Sequence, residues 1–267
     1  MSERLVVVRG GGDLGSGVAL RLWRAGFDIA ILETPNPVAV RRTVAFAEAV
    51  YDGEAGVEEA VAELIASAAD VPGVCGLGRL AVLIDPAAES LETIRPYAVV
   101  DAIMAKRNTG TARSMAHFVV GLGPGFGAGL DVHAVVETNR GPHLGRVIWR
   151  GAAEADTGEP GEVGGRRASR VLCAPAAGRL HALHSIGDIV EKGTIVAEVA
   201  GTPIRAPFPA VVRGLARDGL IVRAGMKVGD LDPRLDPGLC RLVSDKALAV
   251  AGGVLEAIMM SLRGASP

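Results

Sequence analysis

"RLVVVRGGGDLGSGVALRLWRAGFDIAILE", residues 4–33, decides how the first half of this chain is read. Leu5-Val6-Val7-Val8 is a short, continuous apolar run, the pattern of a parallel strand buried on both faces. The glycine loop Gly10-Gly11-Gly12-Asp13-Leu14-Gly15 follows at once. Val18, Leu20, Leu22 and Trp23 then fall in a helix-length segment that closes at Ala25-Gly26, where Gly26 suits a helix C-cap. A second strand, Ile29-Ala30-Ile31-Leu32, ends at Glu33.

Strand, Gly-x-Gly-x-x-Gly, helix, strand and terminal acid is the order of a dinucleotide-binding unit. Gly10 permits the tight turn, Gly12 lets phosphate oxygens approach the backbone, and Gly15 lets the helix pack close to the sheet. The helix N-terminus offers unpaired amides and a partial positive charge to an anion, and Glu33 can accept hydrogen bonds from a ribose diol. Doubly wound domains also keep such a turn without holding a dinucleotide. Asp13 places a carboxylate where a pyrophosphate would sit, unless it caps the helix. Beyond the rigid bend Thr34-Pro35-Asn36-Pro37, Arg41 and Arg42 are expected near the ribose, either holding a phosphate or forming a solvated helix face.

Working outward, residues 58–69 read as a helix, and residues 80–85 and 97–103 as strands. Asp85 and Asp101 fall late in those strands, where the ligand crevice of an open parallel sheet lies. Asp101 leads into the polar loop Lys106-Arg107-Asn108-Thr109-Gly110-Thr111. A second glycine loop carries Gly123, Gly125 and Gly127 after an apolar strand, as where a backbone approaches a ligand or another strand closely. Asp131 and His133 alternate in an extended stretch and so share a face, as an acid–base pair, two metal ligands or a structural pair.

Residues 150–167 lose hydrophobic periodicity and read as a linker or loop. Beyond them lies an internal repeat with an offset of 32 residues: Ala174-Pro175 matches Ala206-Pro207, Gly187 matches Gly219, and Ile189-Val190 matches Ile221-Val222. The two halves resemble the pseudo-twofold sandwich of biotinyl and lipoyl carrier domains. Those domains carry their cofactor on a lysine between the halves, yet Val199-Ala200-Gly201-Thr202-Pro203-Ile204 contains none, so no covalent biotin or lipoyl is expected. Ser244-Asp245-Lys246-Ala247 looks like a lipoyl attachment tetrapeptide, but it follows the repeat and opens an apolar helix, and is read as a decoy. His181 and His184 near Cys173 lack the spacing of a zinc site, and no metal is expected. The final helix has an apolar stripe suited to core packing or a homo-oligomer interface.

Composition bounds the rest. With 267 residues, 49% hydrophobic and 22% charged, the chain can bury a substantial core. A net charge of −2 gives no footprint for nucleic acid, and no window nears the roughly 18 apolar residues of a membrane span. Three distant cysteines and an N-terminus without a long apolar region predict a reducing cytoplasm. The expected architecture is α/β: a Rossmann-like parallel sheet domain over residues 1–168, a small biotinyl/lipoyl-like barrel-sandwich over 169–233, and a C-terminal helix over 234–267.

Taken in order, "RGGGDLGSGVALRL", "ETPNPVAVRRTVAFAEAVYDG", "DAIMAKRNTGT", "GLGPGFGAGLDVHAVVETNRG", "GMKVGDLDPR" and "SDKALAVAGGVLEAI" resemble the selenium-dependent molybdenum hydroxylase system proteins over nearly the whole length. A more remote similarity is to Rossmann-type accessory proteins that mature xanthine dehydrogenase. The resemblance implies maturation or cofactor supply of a selenium-dependent hydroxylase, with that enzyme or cofactor-biosynthesis proteins as partners. The ligand expected is a nucleotide or a molybdopterin dinucleotide, and no catalytic set is carried over. Gly10, Gly11, Gly12, Asp13, Gly15, Glu33 and Arg42 would hold one end of it, with Asn108, Thr109, Gly123, Gly125 and Gly127 further along. Asp101, Lys106, Asp131 and His133 are the candidates for chemistry. Two other readings stay open: an NAD(P)-dependent oxidoreductase, against which no Tyr-x-x-x-Lys pair is present, and a non-catalytic docking scaffold.

Overall fold

A computed structural model describes residues 4–156, 158, 162, 164–166 and 168–264. The chain divides into two compact units. The first comprises Met1–Pro37, Ala45–Thr157 and Val243–Pro267; the second comprises Val38–Val44 and Gly158–Leu242.

The first unit is built on strands β1 (Leu5–Arg9), β2 (Asp28–Glu33), β3 (Glu54–Val57), β4 (Ala60–Leu64), β5 (Leu80–Ile84), β6 (Ala98–Asp101), β7 (Phe118–Leu122), β8 (Ala134–Val136) and β9 (Val147–Ile148). Its helices are α1 (Asp13–Arg24), α2 (Ala49–Asp52), α3 (Val71–Gly76), α4 (Leu91–Ile94) and α5 (Asp245–Leu262). The nine strands form one sheet in the order β3-β4-β5-β2-β1-β6-β7-β8-β9. Val6, Val7 and Val8 pair with Ile29, Ala30 and Ile31 on one side and Ala98, Val99 and Val100 on the other. All are buried, which accounts for the unbroken apolar runs. Burying each such valine or isoleucine contributes roughly 1.5–3 kcal/mol before the entropic cost of ordering it.

The predicted Rossmann-like parallel sheet is corrected here. The sheet is mixed: β3 pairs antiparallel with β4, and β9 antiparallel with β8. Only the β1–β2 crossover is a helix of several turns, 12 residues long, whereas α2, α3 and α4 have 4, 6 and 4 residues. Much of the helical cover comes instead from the 18-residue α5, at the far end of the sequence. The predicted helix over 58–69 is also overturned: the chain turns at Glu58, whose φ is 53°, and returns as β4. Ala55, Val57, Ala60 and Ala62 are buried at a period of two, not 3.6.

Helices α1 and α5 lie side by side and run in the same direction. A Cβ on Gly17 would come 2.7 Å from that of Ala247, while one turn further on Gly252 faces the Arg21 guanidinium. Both N-termini therefore sit together, at the sheet edge where the parallel strands end. Ser244 caps α5 by accepting the Ala247 amide at 3.1 Å, whereas the N-cap of α1 is Gly12 and supplies no side-chain bond.

The predicted barrel-sandwich is corrected as well. The second unit holds β10 (Val171–Cys173), β11 (Gly178–Ala182), β12 (Ile189–Val190), β13 (Ile195–Val199), β14 (Thr202–Arg205), β15 (Ala210–Leu215), β16 (Ile221–Val222) and β17 (Lys227–Asp232). They form two four-stranded antiparallel sheets, β10-β17-β15-β12 and β14-β13-β11-β16, and the unit is not confined to 169–233. It takes in Val38–Val44, where the Arg41 guanidinium donates to the Leu242 carbonyl and Arg42 Nε to the Leu215 carbonyl, each at 2.8 Å. Thr43 Oγ1 donates to the Cys240 carbonyl at 2.5 Å, and Gly214 leaves room for Val40. Arg41 and Arg42 are thus spent on this unit's backbone and do not flank the glycine loop as expected. Inside it, Asp230 pairs with Arg170 and Asp232 with Arg234, all but the last largely buried.

Residues 157, 159–161, 163 and 167 of the predicted linker lie outside the described residues. Among the described residues no helix is long and apolar enough to cross a membrane.

Candidate anion-binding site

The glycine loop leaves β1 and enters α1 through contacts that leave no room for a side chain at Gly10, Gly11 or Gly15. Gly10 has φ 94° and lies against the backbone of Ala102 and Ile103. A Cβ on Gly15 would sit 1.9 Å from the Gly10 carbonyl oxygen. The Gly11 carbonyl accepts from Ser16 Oγ at 2.8 Å and from the Ala47 amide at 2.9 Å, which pins the loop. Gly12, in contrast, has nothing within 4 Å of where a Cβ would be. The first turn of α1 thus opens beside unfilled space, with amides that have no intrahelical acceptor.

Glu33 is not turned outward to a ribose. It is 8% exposed, one carboxylate oxygen accepting the Gly11 amide at 2.6 Å and the other the Thr34 amide at 2.8 Å. Its hydrogen bonds hold the loop in shape. Asp101, at the end of β6, is 2% exposed and closed in a triad: Arg9 donates to both Asp101 and Thr111, and Thr111 Oγ1 donates to Asp101 at 2.5 Å. Ile103's amide binds the remaining Asp101 oxygen at 3.1 Å. These are architectural bonds, and they anchor the loop that packs on Gly10.

That loop is strained. Met104 and Lys106 both have φ 60°, in the left-handed region that costs a side-chain-bearing residue of order 1 kcal/mol or more. Asn108 folds on itself, its oxygen accepting the Gly110 and Thr111 amides while its nitrogen donates to the Thr111 carbonyl. Thr109 is exposed, and Lys106 donates to Asp156 at 2.6 Å. Gly125 passes so close to the backbone of Arg107 that a Cβ would stand 2.6 Å away, and Gly123 leaves room for the Thr138 hydroxyl. The second glycine loop therefore supports its neighbours. Gly127 donates to Asp131 at 2.8 Å.

Asp131 and His133 do not meet as a pair. His133 Nδ1 accepts the Val119 amide at 3.0 Å, near the starts of β7 and β8 and so at the opposite edge of the sheet from Gly12. Burial, then the charges of Arg113 and His117, hold its pKa below the ordinary histidine value. The unfolded chain takes up this proton near pH 6.5, which the folded imidazole resists. The stabilisation is therefore present above that pH and is lost as pH falls through 6.5 toward the folded value. Urea unfolding at about pH 7.5 and about pH 5.5 is expected to show lower stability at the acid end, with a smaller difference in His133→Gln.

The structure brings to the glycine loop a set of residues that sequence reading passed over. Lys246, in the first turn of α5, is surrounded by Arg140, Asp13, Glu137 and Asp156, from four other segments. Burial, then Arg140, pushes its pKa down against the pull of the three acids. Those acids are engaged elsewhere. Glu137, 1% exposed, accepts the Thr138, Asn139 and Glu154 amides at 2.7, 2.6 and 2.7 Å, and Asp156 holds Lys106. Asp13 is itself partnered. Arg140 grips Asp245 with both terminal nitrogens, at 2.7 and 2.9 Å. Among the described residues nothing hydrogen-bonds or ion-pairs with the Lys246 ammonium. The dismissed tetrapeptide was the one available signal: a lysine just inside a capped helix N-terminus.

Elsewhere, His184 lies 3.2 Å from Asp188, His181 lies 3.9 Å from Asp218, and Cys173 is exposed. Among the described residues no group of three or more His, Cys, Asp or Glu is placed to hold a metal ion.

No family model matches the chain. An uncharacterized protein of Escherichia coli (strain K12), YqeB, is 49% identical over 258 residues, which are 97% of this chain and 48% of YqeB. The chain thus spans about half the length of the curated relative it matches. Among solved structures, an aspartoacylase family protein from Mesorhizobium loti aligns over 85% of this chain and 84% of its own, at 13% identity and a TM-score of 0.26. So loose a superposition carries no weight for fold or activity.

Proposed function

We propose that this chain binds a phosphorylated small molecule, a nucleotide or a molybdopterin dinucleotide, at the paired N-termini of α1 and α5, and that it serves as a cytoplasmic accessory protein in maturing or supplying the cofactor of selenium-dependent molybdenum hydroxylases. The binding half of this reading is carried by one observation: the uncapped first turn of α1 at Gly12 opens beside the half-buried ammonium of Lys246, which hydrogen-bonds to nothing among the described residues. Helix-terminal amides and a nearby cation are what a phosphate needs. The accessory half is supported by the motif resemblance. The nicotinamide reading loses its main support, because Glu33 spends its carboxylate on Gly11 and Thr34.

Thermal denaturation with pyrophosphate, nucleoside triphosphates, NAD(P)H and molybdopterin dinucleotides tests the binding half. A true ligand at about 100 times its Kd adds roughly 2.7 kcal/mol, or about 5–10 °C for a chain of this size. Lys246→Met is expected to weaken binding roughly 10–100-fold, the worth of one charge-assisted hydrogen bond. Gly12→Glu, whose side chain enters open space, is expected to abolish the shift while leaving the ligand-free Tm nearly unchanged. Unaltered binding in both variants would exclude this site. Recovery of no hydroxylase subunit or cofactor-biosynthesis protein by affinity capture would remove the accessory role.

A further inference from the structure

The two units carry opposite charge. The second holds 14 basic and 9 acidic side chains, the first 14 and 21. The near-neutral total thus hides an excess of positive charge on the smaller unit, the pattern of a surface that meets an acidic partner. That unit also ends its two sheets on open edges. β10 pairs only with β17 and β14 only with β13, so among the described residues the outer amides and carbonyls of both strands have no ladder partner. The two edges line one groove of about 310 Å³, with Leu172 and Cys173 on one side and Ile204 and Arg205 on the other.

Cations surround this groove. Arg205 donates to the Gly193 carbonyl at 2.9 Å, Arg166 lies 4.1 Å from the centre of the Phe208 ring, next to Pro207, and Lys227 stands opposite Cys173 in the β10–β17 register. Among the described residues none of the three is in an ion pair, and no carboxylate lines the groove. Pro203 blunts β14, because it has no amide hydrogen, whereas β10 carries no proline and can take a further strand.

We propose that β10 is the docking edge for an extended, acidic segment of a partner protein, which adds a strand there and lays its carboxylates against Arg205, Arg166 and Lys227. Strand addition draws affinity from main-chain bonds and specificity from alternate side chains. Single-stranded nucleic acid would need aromatic platforms for its bases, and no aromatic side chain lines the groove. In YqeB the matched region is 48% of the chain, so in that relative this module is joined to a comparable length of further polypeptide. The surface belongs to the second unit and stands or falls apart from the anion site of the first.

A fluorescent octapeptide of alternating Glu and Val, titrated onto the full chain by anisotropy, tests this. It is expected to bind at least ~10-fold more tightly than the Lys-Val peptide or a thymidine octanucleotide. N-methylation of every second amide is expected to cost at least ~10-fold in one phase and little in the other, because an edge strand pairs along one side only. Arg205→Glu is expected to weaken binding at least ~10-fold with the Tm unchanged, while Arg179→Glu, the same change on β11, stays within ~2-fold. Cys173 is exposed, whereas Cys240 is buried and burial pushes the Cys75 thiol up to about 11, so alkylation reads Cys173 first. Saturating peptide is expected to slow that reaction severalfold. Equal loss in both methylation phases, or none in either, overturns strand addition. Tighter binding of the oligonucleotide, or no protection of Cys173, overturns the site.

Discussion

Replacing Asp101 with alanine is expected to lower the unfolding free energy by about 3–5 kcal/mol, the usual result of removing one partner from a buried ion pair. Arg9 is 4% exposed and would keep only Thr111 and a 3.4 Å contact to the Pro86 carbonyl. Thr111 would lose its acceptor, and the Ile103 amide its bond to the carboxylate. In a chain of this length the Tm is expected to fall by roughly 6–20 °C. The double variant Arg9→Met/Asp101→Leu is expected to recover a good part of that loss, since it removes the stranded charge together with its partner. Calorimetry of the two variants decides the matter. An Asp101→Ala protein that melted like the parent and failed only in ligand binding would return Asp101 to the list of site residues.

Gly15→Ala is expected to be nearly as damaging, at about 3 kcal/mol or more. The added carbon would stand 1.9 Å from the Gly10 carbonyl, a backbone atom that cannot rotate away as a side chain would. Relief requires α1 to retreat from the loop. That movement would disturb the Gly17–Ala247 contact with α5 and the Ser16 hydroxyl that joins the Gly11 carbonyl to the Phe46 amide. The contrast with Gly12 is the informative part. Two glycines three residues apart are expected to separate into one that serves packing and one that serves binding. Denaturation midpoints and ligand titrations on Gly15→Ala and Gly12→Ala provide the check: Gly12→Ala is expected to sit within about 1 kcal/mol of the parent, the usual helix-propensity range. Equal losses in the two would mean that the space around Gly12 is not open.

These expectations show where sequence reading stopped. Gly10, Gly15, β1, α1 and β2 were legible because each rests on local chemistry: an apolar run, a residue free to take φ 94°, and a helix-length segment closed by glycine. Glu33 and Asp101 were found as strand-end acids, but their partners lie 22 and 92 residues away, so a list of residue types could not show that their charges were already engaged. Residues 58–69 misled because alanine, glutamate and valine at this density suit a helix by propensity, whereas the tertiary context chose a hairpin at the sheet edge. Lys246 was dismissed because its local sequence resembles something else. Only the docking of α5 beside α1 brings it to the glycine loop.

By itself the sequence determined the buried central strands, the glycine turn and the recurrence of strands at an offset of 32, such as Ile189–Val190 and Ile221–Val222. These follow from periodicity and backbone freedom, which act over a few residues. Tertiary structure decided that the sheet is mixed, that Val38–Val44 belongs with the second unit, and that Arg41 and Arg42 bind its carbonyls. It also decided which charges are spent on buried partners. Pairing of charges and packing of glycines are set by distances between segments remote in sequence, and those distances exist only once the chain has folded.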